Sequence, residues 1–179
     1  MNPATEETLL VLRATCDDRE ALEALLVSVQ PSLRRYLVSI VGVEDAPDVL
    51  QDTLVQICRK VRWLEQPECF RPWAFRIASR LAFRHLRQHR RRSAASTQED
   101  LLDTIATSAE IEPIDESLLD ELLAHPALSP ASRAVLLLHF REEMRLAEIA
   151  AILELPLGTV KSRLAFGLKT LRTHLGRRS

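Results

Sequence analysis

The spacing of apolar positions along the chain divides it into helical segments. Asp18 stands where a side-chain oxygen caps a helix running through Gln30, Pro31 suits the first turn of a following helix, and Gly42 sits where a C-terminal cap belongs. Asp45 is placed to cap a third helix from Ala46 to about Trp63, with Leu50, Leu54, Ile57 and Val61 as its buried stripe. Pro47 falls in the first turn of that helix, where the missing N–H has no intrahelical partner to lose. A fourth helix follows Pro72. From Ser93 to about Asp115 the stripe stops, and the small, polar and acidic residues there, Pro113 among them, read as a linker. Beyond it, Ser129-Pro130 is a cap and first-turn proline for a helix through Arg141 built around Val135, Leu136 and Leu138. Leu146 to Glu154, then Leu155-Pro156-Leu157, then Gly158 to Leu175 read as helix, tight turn, helix. Val160, Leu164, Leu168, Leu171 and Leu175 line one side of the last helix. The expected fold is all-α: a four-helix domain over residues 1–92, an acidic linker over 93–115 and a helix-turn-helix domain over 116–179.

Composition agrees, since Leu and Ala far outnumber Val and Ile and there are only 4 Gly. No apolar run exceeds five residues, against the roughly 20 that a membrane helix needs. The first residues include Glu6 and Glu7 rather than a basic signal start. A soluble, cytoplasmic protein without membrane insertion is expected. Cys16, Cys58 and Cys69 are odd in number and far apart, so they read as buried or partly buried small apolar residues. His85 and His89 share a helical face but have no carboxylate or thiolate pair beside them, and no metal or other cofactor is expected. Without an HExxH motif, a Gly-rich phosphate loop or a nucleophile and base pair, the chain does not read as an enzyme.

The net charge of -1 conceals sign blocks. From Phe70 to Gln98 there are eight arginines and no acid, from Ser93 to Ser132 nine acids and no Lys or Arg, and after Glu154 no acid at all. Two basic regions separated by an acidic one suit a protein that touches a polyanion at two places. In the fourth helix, Arg76, Arg80, Arg84, Arg87 and Arg91 fall within an arc of about 80°, with Trp73 and Phe83 in or beside it. Ala74, Phe75, Ala78, Leu81, Ala82 and Leu86 take the opposite face. Cations for phosphates beside rings for unstacked bases are what a single-strand binder requires; the other reading tucks both rings against a neighbouring helix while the arginines snorkel. In the last helix Thr159, Ser162, Arg163, Phe166 and Thr170 face outward with Lys161 on the flank, residue types that suit base edges and phosphates in a major groove. In the third helix Asp48 and Asp52 lie one turn apart beside Gln51.

These residues resemble the extracytoplasmic-function branch of the bacterial sigma-70 family of RNA polymerase initiation factors. Asp45-Ala-Pro-Asp-Val-Leu-Gln-Asp-Thr-Leu is similar to region 2.2, Phe70-Arg-Pro-Trp-Ala-Phe-Arg-Ile-Ala-Ser-Arg-Leu-Ala to regions 2.3 and 2.4, and Glu148-Ile-Ala with Pro156 and Gly158-Thr-Val-Lys-Ser-Arg-Leu to region 4. The resemblance covers about residues 20–92 and 117–175. It implies that Asp45, Asp48, Gln51 and Asp52 contact core RNA polymerase, and that Trp73, Arg76, Arg80, Phe83, Arg84 and Arg87 open and hold single-stranded DNA of the minus-10 element. It further implies that Thr159, Lys161, Ser162, Arg163 and Phe166 read duplex DNA of the minus-35 element. The acidic linker is expected to thread near the polymerase RNA-exit channel, and an anti-sigma factor to hold such a protein in check.

The chain departs from the family pattern at several places. Pro47 stands for a usual Glu, Arg80 for Asn, Arg84 for Asp and Leu168 for a residue often basic. Arg145 replaces a common helix cap, an expected loss of about 1 kcal/mol, and Glu154 replaces a turn Gly at about 1–2 kcal/mol. Thr53, next to Asp52, would bring a phosphate to the acidic contact if modified, or is ordinary helix packing. Two other functions fit parts of the pattern: a sigma-like decoy that sequesters an anti-sigma factor, and a helix-turn-helix repressor bound to a palindromic site.

Overall fold

A computed structural model of the chain describes residues 3–92, 119–120, 123 and 125–175, and among these every regular element is helical. We label them α1 (Pro3–Thr15), α2 (Arg19–Val41), α3 (Ala46–Lys60), α4 (Phe70–Arg92), α5 (Pro130–Phe140), α6 (Leu146–Leu153) and α7 (Leu157–Leu175). Short 3-10 turns at Val61–Trp63 and Pro67–Cys69 join α3 to α4. The chain forms two compact units, Met1–His89 and Arg90–Ser179. The segment expected as a linker, 93–115, and the expected domain start at Glu116 lie outside the described residues. No described helix is long and apolar enough to cross a membrane.

In the first unit the expected break at Pro31 does not occur, and α2 runs through it. A proline in a helix interior costs about 3 kcal/mol, but Leu25, Val29 and Leu33 on either side are each fully buried, at roughly 1.5–3 kcal/mol apiece. Burial wins, with Pro31 itself on the exposed side. The expected ends of α2 do occur. Asp18 accepts the Ala21 N–H at 3.1 Å, and this bond, followed by the Arg13 guanidinium, holds its carboxyl below the usual range. Gly42 takes φ 92 and returns its N–H to Val38.

The amphipathic α1, for which the sequence reading had no helix, packs along α2 and over the two 3-10 turns, burying Val11 and Ala14. Its Glu7 accepts from Arg71 Nε at 2.9 Å. On α3 the inner face is Ala46, Val49, Leu50, Thr53 and Ile57, continued by Val61, while Leu54 is only half-buried. Asp45 does not cap α3. A cap residue needs an extended backbone to swing its oxygen over the first turn, and Asp45 is already helical at φ -89, ψ -19. Cys16 and Cys58 are exposed and Cys69 partly buried, which corrects the expectation for the first two. Cys16 sits in the turn after α1, and Cys58 on the outer side of α3.

In the second unit Ser129 caps α5 as expected, accepting the Ser132 N–H at 3.2 Å with Pro130 in the first turn. Ala134 to Leu138 are all buried. Arg141 reaches Asp120 at 2.8 Å. Arg145 has no acceptor to offer α6, yet the helix start is not left bare: Glu148 Oε2 reaches back to the Arg145 N–H at 2.8 Å, the other half of a capping box. Glu154 does adopt the left-handed conformation, φ 56 and ψ 42, that its position demands. On α7, Gly167 lies where any side chain would collide: a Cβ there would stand 2.8 Å from Leu136 Cδ1 and 3.2 Å from its Cγ.

Gly167→Ala is therefore expected to destabilise the second unit by about 1–3 kcal/mol, despite the better helix propensity of Ala. Denaturant unfolding measures this, and an alanine variant as stable as the parent would show that α5 and α7 do not depend on that close approach.

Candidate nucleic-acid interface

Three exposed surfaces collect the residues singled out by the sequence. On the first, α3 presents Asp48, Gln51 and Asp52 to solvent from its first two turns, where carboxylates also meet the positive end of the helix dipole. Asp45 is turned differently. Its Oδ2 lies 3.1 Å from His85 Nε2 on α4, a close contact without the alignment of a hydrogen bond. Val55, 40% exposed, and Arg59 continue the Asp48 and Asp52 face. The same 100° sweep that groups the acids would have found them. Thr53 is fully buried, with its hydroxyl donated to the Val49 carbonyl at 2.7 Å, so it belongs to the packing and not to the acidic surface.

The second surface is α4. Arg76, Arg80, Arg84 and Arg87 are exposed, and so are Arg90, Arg91 and Arg92 beyond them. Trp73 and Phe83 are half-buried in the same band. The Trp73 ring leans on the fully buried Phe70, centroids 6.1 Å apart and planes at 41°, so one side is anchored in the core. Each ring is partly buried against the unit and partly accessible. The opposite side of α4 buries Ala74, Phe75, Ala78 and Ala82, while Leu81 and Leu86 are only half-buried. It also buries Ser79, whose Oγ lies 2.6 Å from the Tyr36 hydroxyl on α2. Burial drives the Tyr36 phenol well above its ordinary pKa, so it is a neutral donor at any working pH. Of the eight arginines on this acid-free helix, Arg71 is half-buried and paired with Glu7, and the other seven are exposed.

An exposed ring that the sequence reading missed lies between these helices. Trp63 is 65% exposed and the Arg62 guanidinium carbon sits 4.7 Å from its ring centroid. Its signal in the sequence was the same pairing of arginine and aromatic that marks α4.

The third surface is α7. Val160, Leu164, Gly167 and Leu168 are buried, which makes Leu168 a core residue and accounts for its apolar character. Lys161, expected on the flank, is the most outward of the group. Thr159, Ser162, Arg163, Phe166 and Thr170 are half-buried. The hydroxyls of Ser162 and Thr170 turn back to the carbonyls of Thr159 and Phe166, each at 3.0 Å. Arg163 leans over the start of α5, its Nη1 3.4 Å from Ser129 Oγ.

The arrangement has known counterparts. Residues 25–92 match sigma-70 region 2, and residues 119–171 match sigma-70 region 4. The chain is 31% identical over 163 residues to the probable RNA polymerase sigma factor RfaY of Xanthomonas campestris pv. campestris, across 88% of this chain; it spans 41% of that relative's length. It is 26% identical over 174 residues to the ECF RNA polymerase sigma-E factor of Salmonella typhimurium, covering 92% of this chain and 91% of that protein. The fold is shared with CnrH, solved in complex with the cytosolic domain of CnrY, at TM-score 0.64 and 22% identity over 97% of this chain and 99% of that one. It is shared too with the sigma factor RpoE of Bartonella quintana, solved with the anti-sigma factor NepR, at TM-score 0.66 and 23% identity over 86% and 96%. Both regions occur in order on one chain, α3 and α4 falling within the first and α5, α6 and most of α7 within the second, and the chain belongs to the sigma-70 family of RNA polymerase sigma factors, in its extracytoplasmic-function branch.

Proposed function

We propose that this sigma factor docks on core RNA polymerase through α3, holds the unpaired strand of a minus-10 element on the outer side of α4, and reads a duplex minus-35 element with α7. The observation that carries the reading is α4 itself: exposed arginines interleaved with seated rings, no acid, and a buried side directly opposite. Asp48, Gln51 and Asp52 make the polymerase contact, with Asp45 at its edge. Trp73 and Phe83 stack bases while Arg76, Arg80, Arg84 and Arg87 take phosphates. Lys161 contacts backbone, and Thr159, Ser162, Arg163 and Phe166 approach base edges. Arg80 and Arg84, where the family pattern has Asn and Asp, are both exposed and add cations to the strand-holding side. Each region alone makes few contacts, and joining them by a linker over 93–115 raises effective concentration enough for promoter binding. CnrH and the Bartonella RpoE are each solved with a bound protein, in the second case an anti-sigma factor, and we propose the same class of restraint here.

The test is run-off transcription from a genomic fragment library with core polymerase, with and without the chain. New start sites that share paired upstream and downstream motifs are the expected result. Core binding without any start site would replace this reading with a decoy, and no core binding with retention of a palindromic duplex would replace it with a repressor.

Each of the three surfaces can be tested by substitution. Asp48→Arg with Asp52→Arg is expected to lower core affinity by more than about tenfold with helicity unchanged; unaltered affinity would remove α3 from the contact. Trp73→Ala is expected to slow promoter opening by the equivalent of about 1–3 kcal/mol while sparing core binding, and equal loss of both would make the ring a core residue only. Lys161→Ala is expected to weaken DNA binding evenly across sequences and to reduce the salt slope by about 1. Arg163→Ala should instead weaken use of the upstream element, and a promoter preference indifferent to Arg163 would shift base reading elsewhere on α7.

A further inference from the structure

Beyond the fully buried Phe70 and Phe75, the inner side of α4 is lined by small side chains. Ala74, Ala78 and Ala82, each fully buried, run along it four residues apart. A row of methyl groups offers little ridge or groove to fix a rotational setting. Phe75 meets Tyr36 edge-on at 5.4 Å, a contact of broad geometry. Toward the ends, the ion pair of Arg71 with Glu7 at 2.9 Å and the close approach of His85 to Asp45 at 3.1 Å involve partly exposed side chains that follow small movements.

The contact of Tyr36 with Ser79 is narrower in geometry. Tyr36 and Ser79 are both about 1% exposed and their oxygens are 2.6 Å apart. Ser79 donates its single proton to the Phe75 carbonyl at 2.7 Å. Tyr36 is therefore the donor to Ser79, and the two hydroxyl protons form one directed chain from α2 into the backbone of α4. Beyond Phe75 the alanines resist a roll of α4 only weakly, whereas the roll strands two buried hydroxyls.

We infer that Tyr36 and Ser79 are a positioning pair, setting the roll of α4 about its axis and so aiming the arginines and rings of its outer side at nucleic acid. This rests on the strand-holding role proposed above. A roll of about 20° carries a side-chain end some 5–6 Å from the helix axis through about 2 Å, more than a hydrogen bond to phosphate tolerates. The pair touches no DNA and acts through α4.

The test uses the full chain with core polymerase on a promoter captured by the run-off experiment. It compares Tyr36→Phe, Ser79→Ala and the double variant. Ser79→Ala leaves the Tyr36 hydroxyl buried without an acceptor and should lower the melting midpoint. The double variant removes both hydroxyls, leaves nothing unpaired and should regain most of that midpoint. Permanganate reactivity of unpaired thymines reports opening, and core affinity is measured alongside. The expected result is that Tyr36→Phe and the double variant open the promoter about tenfold more slowly, the scale of one net hydrogen bond, at parental core affinity. Opening that recovers together with the midpoint in the double variant would overturn the inference, since the pair would then be structural alone. Core affinity that falls in step with opening would overturn it too. Absence of opening by the unsubstituted chain would overturn the functional reading and this inference together.

Discussion

The first unit hangs on the unbroken burial of one side of α2. Leu25, Val29, Leu33, Leu37 and Ile40 form a stripe that passes Pro31 without interruption, and α1 and α3 both pack along it. Tyr36 extends the same stripe to α4. Had the helix ended at Pro31, the residues that support the acid-bearing helix and those that support the arginine-bearing one would sit on separate elements. Their union in one rod lets a small unit present two surfaces of opposite charge in fixed relation.

Opposite charge on adjacent surfaces needs its own explanation, because the simplest outcome would be mutual neutralisation. The acids of α3 lie in its first two turns and gain from the helix dipole there. The arginines at the end of α4 gain from the opposite pole of their own helix, although neighbours three and four apart repel by a few tenths of a kcal/mol each. Each charge set is thus stabilised within its own helix. His85 of α4 and Asp45, at the start of α3, approach to 3.1 Å.

Much of this was legible in the residues, and the failures have physical causes. Caps at Asp18, Gly42 and Ser129 are local devices, decided by a side-chain oxygen or a positive φ within a few residues, and they occur where expected. The readings of Pro31 and Asp45 went astray for one reason: local propensity named a role that tertiary surroundings then reassigned, by burial in one case and by a helical backbone beside His85 in the other. Arg145 was judged on its own side chain, while the compensating bond comes from Glu148. Ser79 was invisible because a lone serine between alanine and arginine carries no pattern; only its partner forty-three residues earlier gives it meaning. Of the outward residues, the acids of α3 and the arginines of α4 stand as periodicity placed them, whereas the second helical unit drew Arg163 against Ser129 and left Lys161 foremost.

The contact of Gly167 with Leu136 separates two kinds of constraint on α7. One side of that helix is pinned at near contact distance to α5 and has little latitude for change. Lys161 is exposed, and Thr159 and Ser162 are half-buried. Replacement at an exposed position such as Lys161 is therefore far less coupled to foldedness than replacement at Gly167, so the two sides of one helix tolerate change to very different degrees.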